Sequence, residues 1–282
     1  MWKRSLFVWQ LCLLLGCSVV LTTSPQELQT LSPGETVQFF YDSQGGKAEA
    51  YLVRPKGDGP FPLLLLFHGD SLVRRRGAER LVPVAEQFSS ELCYAALAVS
   101  MPGYGNTAVA GDGDRDIITR LVLDGVAKAT ALPWIDQKRL LLYGFSRGAV
   151  FAAASVNRLP NLRAVVLHSG AYDIPRLYQE TPTQWVRQAL NPNGETRPKL
   201  FNLLSEVKGW TAPTLILHGE LDEVIPVNQA KLLYQELDAS KIPRHIILFP
   251  DAGHRLPSDR VHDEVLAFLQ RHVGSACRST AP

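Results

Sequence analysis

Short apolar runs flanked by glycine and proline recur along the chain and alternate with stretches in which apolar residues return at helical spacing. The runs are apolar throughout, which is typical of strands buried on both faces of a sheet. They occupy residues 63–67, 95–99, 140–143, 164–167, 214–217 and 245–249. The amphipathic stretches span residues 78–91, 117–131, 148–157, 227–237 and 258–272. This alternation predicts an α/β fold, with a mostly parallel twisted sheet covered by helices on both faces.

Two parts of the chain depart from this alternation. Residues 36–41 and 48–53 are β-prone and are separated by a turn over residues 43–46, whose glycines tolerate positive φ. They are expected to form an antiparallel hairpin that opens the fold. Residues 172–210 are polar, contain proline and are rich in leucine and tryptophan. This interval is expected to be a cap inserted into the sheet domain.

Length and composition are those of one globular domain. The 282 residues are 46% hydrophobic and 20% charged, which disfavours both a disordered chain and a polytopic membrane protein. The length fits a single large α/β domain, expected over residues 35–275. The formal net charge is only +2, so nothing in the composition favours nucleic acid as a partner.

The N-terminus has the layout of an export signal, expected over residues 1–16. Two positive charges lie within residues 1–4, and an apolar run follows over residues 5–15. Because that run is shorter than the ~20 residues needed to span a bilayer, a permanent transmembrane anchor is disfavoured. Residues 17–34 are expected to be a tether, since Ser, Thr, Pro and Gln occur there without periodicity.

The end of this leader is similar to a bacterial lipobox. In the segment Leu14-Leu15-Gly16-Cys17, the cysteine would become the lipidated first residue after cleavage. Lipidation at Cys17 would hold the protein on a membrane surface through several acyl chains. The expected location is then the bacterial cell envelope, with the protein anchored in the periplasm. Ordinary cleavage near Thr23 and an uncleaved leader remain open alternatives.

A Gly-x-Ser-x-Gly pattern lies at Gly144-Phe145-Ser146-Arg147-Gly148. It follows the apolar run at 140–143 and precedes an amphipathic stretch, which is the strand and helix context that this motif requires. A sharp turn there would push the Ser146 hydroxyl out of the sheet, and the following helix N-terminus would favour an anionic intermediate. The pattern therefore predicts a nucleophile at Ser146. The alternative is a glycine turn that holds a bystander serine.

A serine hydroxyl needs a base within hydrogen-bond reach to act as a nucleophile. Asp222 follows the apolar run at 214–217, and His254 follows the run at 245–249. Both therefore lie after the carboxyl end of a predicted parallel strand, the edge where open α/β sheets build their sites. We expect His254 to act as the general base towards Ser146 and Asp222 to orient the imidazole.

Other residues could in principle fill these two roles. Glu220 and Glu223 flank Asp222, and either could orient the base. Five other histidines are expected to cap strand ends or to lie on the surface of the last helix, namely His68, His168, His218, His262 and His272.

An oxyanion hole requires two backbone donors aimed at the developing charge. One is expected to be the N–H of Arg147, the residue after the serine. The other is expected from the loop that begins at His68-Gly69-Asp70, where we assign the N–H of Asp70, with Ser71 as the alternative. Because a carboxylate pointing at an oxyanion would be unfavourable, the side chain of Asp70 is expected to turn away.

Taken together, several motifs resemble the dienelactone hydrolase and prolyl oligopeptidase branch of the α/β-hydrolase superfamily. They are His68-Gly69, Pro102-Gly103-Tyr104-Gly105, residues 144–148, residues 218–226 and Gly253-His254. The resemblance implies the α/β-hydrolase fold and hydrolysis of an ester, lactone or peptide through an acyl-enzyme, without metal or organic cofactor. Two departures from this family pattern stand out: no β-propeller segment like that of the large oligopeptidases is expected within these residues, and serine stands where dienelactone hydrolases proper use cysteine.

Two cysteines, Cys93 and Cys277, belong to the predicted domain. In this fold they follow two helices that lie on the same face of the sheet, and an exported chain permits a disulfide between them. Two separate thiols are the alternative.

The expected function is that of a serine hydrolase acting on a small ester, thioester or lactone, with a small-molecule acyl group or a short peptide as its substrate. A peptidase and an acyltransferase remain open, as does a binding member of the fold that has lost catalysis. Trp185 and Trp210 in the predicted cap could line the acyl pocket or fasten the cap to the core.

Overall fold

The structure, a computed structural model, describes residues 19–21, 28–71, 75–111, 113–196 and 200–277. The predicted signal peptide and the predicted lipidation site Cys17 lie outside these residues. The described part contains a nine-stranded sheet. Its strands are β1 Val19–Leu21, β2 Thr36–Ser43, β3 Gly46–Val53, β4 Phe61–Phe67, β5 Ala95–Val99, β6 Ile135–Phe145, β7 Leu162–His168, β8 Thr214–Gly219 and β9 Arg244–Phe249.

The sheet is mostly parallel, as the sequence predicts. The strand order is β1-β2-β3-β5-β4-β6-β7-β8-β9, and the β2–β3 and β3–β5 pairs are the antiparallel ones. The central strand β4 pairs with β5 on one side and β6 on the other, with Leu65 opposite both Leu97 and Leu142. Every residue of β4 and β5 is buried, because helices cover both faces of the sheet.

Seven α-helices lie wholly within the described residues, and five of them cover the two faces of the sheet. They are α1 Val82–Leu92, α2 Arg115–Thr130, α3 Arg147–Ser155, α4 Ile174–Glu180, α5 Gln184–Leu190, α6 Asn228–Ala239 and α7 Ser258–Val273. Buried residues of α2, α3 and α6 pack in one hydrophobic cluster, and those of α1 and α7 pack in a second one. The fold is therefore the α/β-hydrolase fold that the sequence predicts. Among the described helices, none is long and apolar enough to cross a bilayer.

Packed structure begins earlier in the chain than the sequence predicts. Leu28 and Leu31 are buried and belong to the larger hydrophobic cluster, and a guanidinium N–H of Arg54 donates to the Leu31 carbonyl at 2.5 Å. Buried residues therefore occur already at positions 28 and 31, within the interval 17–34 that is expected to be a tether. Two isolated leucines among polar residues give no periodicity from which their burial could be read.

The insertion between β7 and β8 carries α4, α5 and a 3-10 segment at Leu204–Gly209. It begins at Tyr172 and Asp173, whose backbone N–H groups both donate to the Gln229 side chain at 2.9 Å. An isolated bridge between Asp173 and Asn202 closes its base. The interval predicted as a cap is therefore attached to α6 at its start and closed on itself at its base, and it places α4 and α5 beside the carboxyl edge of the sheet.

A disulfide joins Cys93 to Cys277, as the sequence predicts, with the two Cα atoms 5.0 Å apart. Cys93 follows α1, and Cys277 lies shortly after α7. Beside the disulfide, the backbone N–H of Ala276 donates to the Leu92 carbonyl at 2.9 Å. The C-terminal segment is therefore attached both to the end of α1 and to the hydrophobic cluster beneath it.

Removing this cross-link is expected to lower the free energy of unfolding by about 2–5 kcal/mol, because the bond closes a long loop in the unfolded chain. The Cys93→Ser/Cys277→Ser variant should therefore unfold at lower urea concentration than the wild type. The wild type in reductant should move to the same midpoint, while the double variant in reductant should not move further. An unchanged midpoint on reduction would contradict this prediction.

Candidate active site

Ser146 lies at a sharp turn between β6 and α3. Its backbone has φ +55° and ψ −122°, a region that residues other than glycine adopt only under strain. A Cβ on Gly144 would lie 2.7 Å from the backbone nitrogen of Ala149, and one on Gly148 would collide with the Phe67 carbonyl. The turn therefore needs both glycines of the motif, and it presents the serine at the carboxyl edge of the sheet.

His254 connects Ser146 to Asp222. Its Nε2 lies 2.8 Å from the Ser146 Oγ, and its Nδ1 lies 2.8 Å from the Asp222 Oδ2. Asp222 stands in the loop after β8 and His254 in the loop after β9. Ser146 and Asp222 are buried, whereas the His254 side chain keeps partial exposure. The three residues predicted from the sequence therefore form one hydrogen-bonded line.

Four donors surround the Asp222 carboxylate. Its Oδ1 accepts the backbone N–H groups of Val224 and Ile225, both at 2.9 Å. Its Oδ2 accepts from His254 Nδ1 and lies 3.2 Å from His218 Nε2. Burial alone would raise the pKa of Asp222, but hydrogen bonds from His218 and His254 outweigh it and hold the pKa well below its usual value. Asp222 is therefore ionised at neutral pH.

The flanking carboxylates do not share this environment. Glu220 and Glu223 are exposed, while Asp222 between them is buried and turned towards His254. The side chains differ in exposure because the loop is tight: the Leu221 N–H donates to the Ala252 carbonyl at 3.0 Å. That bond holds the loop after β8 against the loop after β9.

The other candidate histidines have structural partners. His68 Nδ1 lies 2.9 Å from the Gly69 carbonyl, its Nε2 accepts the Met101 N–H at 3.0 Å, and burial lowers its pKa to about 4. His168 hydrogen-bonds the Tyr143 hydroxyl at 2.9 Å, and burial lowers its pKa to about 3. Both rings are therefore neutral at pH 7 and bridge strand ends.

His218 is fully buried behind Asp222. Its Nε2 lies 2.8 Å from the Ile225 carbonyl, which can only accept, so this nitrogen carries the proton. His262 pairs with Glu91 at 2.7 Å, and His272 packs on the Phe268 ring. Neither of these last two reaches the loop that carries Asp222.

Asp70 and Arg147 flank Ser146 from two different elements. Asp70 belongs to the loop after β4, Arg147 is the first residue of α3, and both line the cavity beside the serine. The Asp70 carboxylate accepts the Tyr104 hydroxyl at 2.6 Å and lies 3.8 Å from an Arg147 guanidinium nitrogen. Tyr104 belongs to the Pro-Gly-Tyr-Gly motif, but the sequence predicts no role for it in the site.

The cavity beside Ser146 has a volume of about 190 Å³ and mostly apolar walls. Helices α4 and α5 and the chain after them supply one side, through Ile174, Leu177, Trp185, Val186, Ala189, Leu190, Leu200 and Phe201. Of the two tryptophans predicted in the cap, Trp185 lines the cavity and Trp210 is buried in the core. Among the described residues, no group of His, Cys, Asp and Glu is arranged to hold a metal ion.

A serine on a strand–turn–helix junction, in line with a histidine and an aspartate from later strand ends, defines the class of the α/β-hydrolases. Two family profiles match the chain. The profile of the prolyl oligopeptidase family matches residues 120–276, and that of the FrsA-like esterases matches residues 20–173. The chain therefore belongs to the esterase and prolyl oligopeptidase branch of this class, and it is a hydrolase of the esterase or peptidase type.

The proteins similar to this chain include a putative carboxymethylenebutenolidase and a putative dienelactone hydrolase as well as a peptidase. A putative carboxymethylenebutenolidase of Escherichia coli O157:H7 is 27% identical over 226 residues, which cover 77% of this chain and 76% of the relative. Acylaminoacyl peptidase of Pyrococcus horikoshii superposes with a TM-score of 0.71 at 16% identity, covering 91% of this chain. A putative dienelactone hydrolase from Klebsiella pneumoniae subsp. pneumoniae MGH 78578 superposes with a TM-score of 0.60 at 21% identity, covering 83% of this chain and 96% of that one.

The chain spans 44% of the length of that acylaminoacyl peptidase. Both structural similarities lie below 25% identity and concern the fold.

Proposed function

We propose that the chain is a serine hydrolase that cleaves a small ester, thioester or lactone through an acyl-enzyme. The observation that carries this proposal is the line from Asp222 through His254 to Ser146, with both hydrogen bonds at 2.8 Å. That spacing is the one at which a base can take a hydroxyl proton.

In the first step, the Ser146 Oγ attacks the carbonyl carbon while His254 Nε2 takes its proton. Asp222 remains ionised, holds the Nδ1 proton and stabilises the imidazolium that forms. The negative charge on the former carbonyl oxygen is met by the backbone N–H groups of Asp70 and Arg147. The N-terminus of α3 adds partial positive charge at the same place.

In the second step, the tetrahedral intermediate collapses. The bond to the leaving group breaks, and His254 returns the proton to the departing oxygen or sulfur. Water then attacks the acyl-enzyme, again with His254 as the base, and the acid product leaves Ser146. His254 then returns that proton to the Ser146 Oγ, which restores the serine hydroxyl, so these steps balance with the substrate, one water molecule and the residues of this site.

The position of the cavity favours the acyl half of the substrate. The leaving group must lie next to His254, because it receives its proton from that side chain. Ser146 and Arg147 line the cavity, whereas His254 does not. The part of the substrate that stays on the serine therefore fits the cavity, and its apolar walls favour an uncharged acyl chain or ring.

We expect kcat/KM for p-nitrophenyl esters to rise by roughly fourfold per added methylene until the cavity is filled, since each buried methylene contributes about 0.8 kcal/mol. Trp185→Ala should enlarge the cavity and move the preferred acyl chain to a greater length. Leu221→Ala is the matched control, because Leu221 is the other large exposed apolar residue of the described chain and does not line the cavity. A chain-length preference that Trp185→Ala leaves unchanged would contradict this assignment.

A peptidase is the second candidate, favoured by the prolyl oligopeptidase profile over residues 120–276. The same serine and histidine geometry can cleave an amide, with the amine as the leaving group. Aminoacyl and dipeptidyl p-nitroanilides tested beside the ester panel separate the two. A higher kcat/KM for an anilide than for the ester of the same acyl group would favour the peptidase.

A further inference from the structure

The Tyr104 hydroxyl lies between the side chains of Asp70 and Arg147. It donates to Asp70 Oδ1 at 2.6 Å and accepts from Arg147 Nη1 at 3.2 Å. The same Arg147 nitrogen lies 3.8 Å from Asp70 Oδ2, so the three side chains form a closed set. The Tyr104 ring is buried, with the Arg147 guanidinium 5.5 Å above its centre. This one hydroxyl group therefore connects the loop after β4, the loop after β5 and the start of α3.

Hydrogen bonds to the buried carboxylate of Glu49 hold the loop that carries Tyr104. Glu49 of β3 accepts the Ser100 hydroxyl at 2.7 Å and the Asn106 backbone N–H at 3.1 Å through Oε2. Its Oε1 accepts the Asn106 side-chain amide at 2.7 Å. Gly105 adopts φ +55°, and a side chain there would collide with the Glu49 carboxylate. Tyr104 is therefore presented from a fixed backbone.

We propose that Tyr104 is a positioning residue that sets the separation of the two oxyanion donors. It acts by tying the side chain of Asp70, in the loop after β4, to that of Arg147, at the start of α3. The backbone N–H groups of these same two residues are the donors in the proposed function, on which this inference rests. Tyr104 contacts neither the serine nor the substrate in this role.

The separation of the donors matters because both N–H groups must lie about 2.7–3.1 Å from the position that the oxyanion takes. Arg147 is fixed by α3, but Asp70 stands in a loop. Without the hydroxyl, the Asp70 carboxylate loses its 2.6 Å hydrogen bond, and its contact with Arg147 is longer, at 3.8 Å. The N–H of Asp70 is then expected to move away from the oxyanion, by a displacement of the kind that lowers catalytic rates up to about a hundredfold.

The test is Tyr104→Phe in the full-length chain, which removes the hydroxyl and keeps the ring. We expect kcat for the preferred p-nitrophenyl ester to fall by about 10- to 100-fold with KM changed by less than about threefold, because the tie acts on the transition state. The affinity for a boronic acid, which forms a tetrahedral adduct on the serine, should fall in parallel. If Tyr104 had only a structural role, the affinity for the boronic acid would change no more than KM does.

A double-mutant cycle shows whether Tyr104 acts through Asp70. Asp70→Ala removes the carboxylate and keeps the backbone N–H, so Tyr104→Phe should have almost no additional effect on kcat in that background. Effects that multiply independently would overturn the inference.

The matched control is Tyr41→Phe. That change removes another buried tyrosine hydroxyl, which donates to the Leu121 carbonyl at 2.8 Å on α2, away from the serine. It should lower the free energy of unfolding and leave kcat unchanged. If the wild type hydrolyses the ester and Tyr104→Phe matches it in kcat, this inference alone is overturned. A wild type that hydrolyses no ester or anilide would overturn the proposed function as well.

Discussion

Ser146→Ala is expected to lower kcat for p-nitrophenyl ester hydrolysis by about 10⁴- to 10⁶-fold. Without Oγ no acyl-enzyme can form, and only the oxyanion donors and substrate binding remain to assist attack by water. Alanine keeps the Cβ that the turn already accommodates at φ +55°, so the fold should persist. The measurement is the steady-state rate of the purified variant, with the unfolding midpoint as evidence that the domain is intact.

Ser169→Ala is the matched control for this substitution. Ser169 also has a positive φ, of +50°, is fully buried and follows the neighbouring strand β7. It lies outside the line from Asp222 to Ser146, so its variant should keep kcat within a few-fold of the wild type. A Ser146→Ala variant that retains activity comparable with Ser169→Ala would rule out Ser146 as the nucleophile.

The second large effect is expected for Asp222→Asn, which should lower kcat by about 10⁴-fold. An amide in place of the carboxylate removes the negative charge that stabilises the imidazolium. Its N–H₂ group can also donate to His254 Nδ1, which selects the tautomer with the proton on Nε2. That nitrogen can then no longer accept the Ser146 proton.

Glu220→Gln and Glu223→Gln are the controls for the acid, because they make the same chemical change within two residues of Asp222. Both side chains are exposed, so their variants should keep the wild-type kcat. Loss of activity in Glu223→Gln, with Asp222→Asn unaffected, would transfer the orienting role to the neighbouring carboxylate. The three variants should be compared at one pH in the neutral range, where wild-type Asp222 is ionised.

The fold could be predicted from the sequence because most of its strands are buried on both faces. The apolar runs place β5 at its observed limits and β4, β7, β8 and β9 within two residues of theirs. The strand β6 begins earlier than predicted, at Ile135. Its first residues are largely polar and pair with β4 only at Phe61, so the pattern of apolar runs does not include them. Polar strand starts of this kind give no apolar run.

The line from Ser146 to Asp222 could be anticipated because each of its residues follows a recognisable strand. Glu49 and Tyr104 could not. Glu49 stands in an antiparallel strand, where one acidic residue among apolar ones is typical of an exposed position, yet it is buried beneath the loop after β5. The contact of Tyr104 with Asp70 depends on β4 and β5 being neighbours in the sheet, which the spacing of residues does not reveal.

The central claim, that His254 activates Ser146, is tested most directly by covalent labelling with a fluorophosphonate. The full-length protein is treated with the probe and digested, and the modified peptide is identified by mass spectrometry, with a known serine hydrolase as the positive control. We predict a single adduct on Ser146, absent from Ser146→Ala and strongly reduced in His254→Ala. An adduct on another residue, or an unlabelled wild type beside a labelled positive control, would contradict the account.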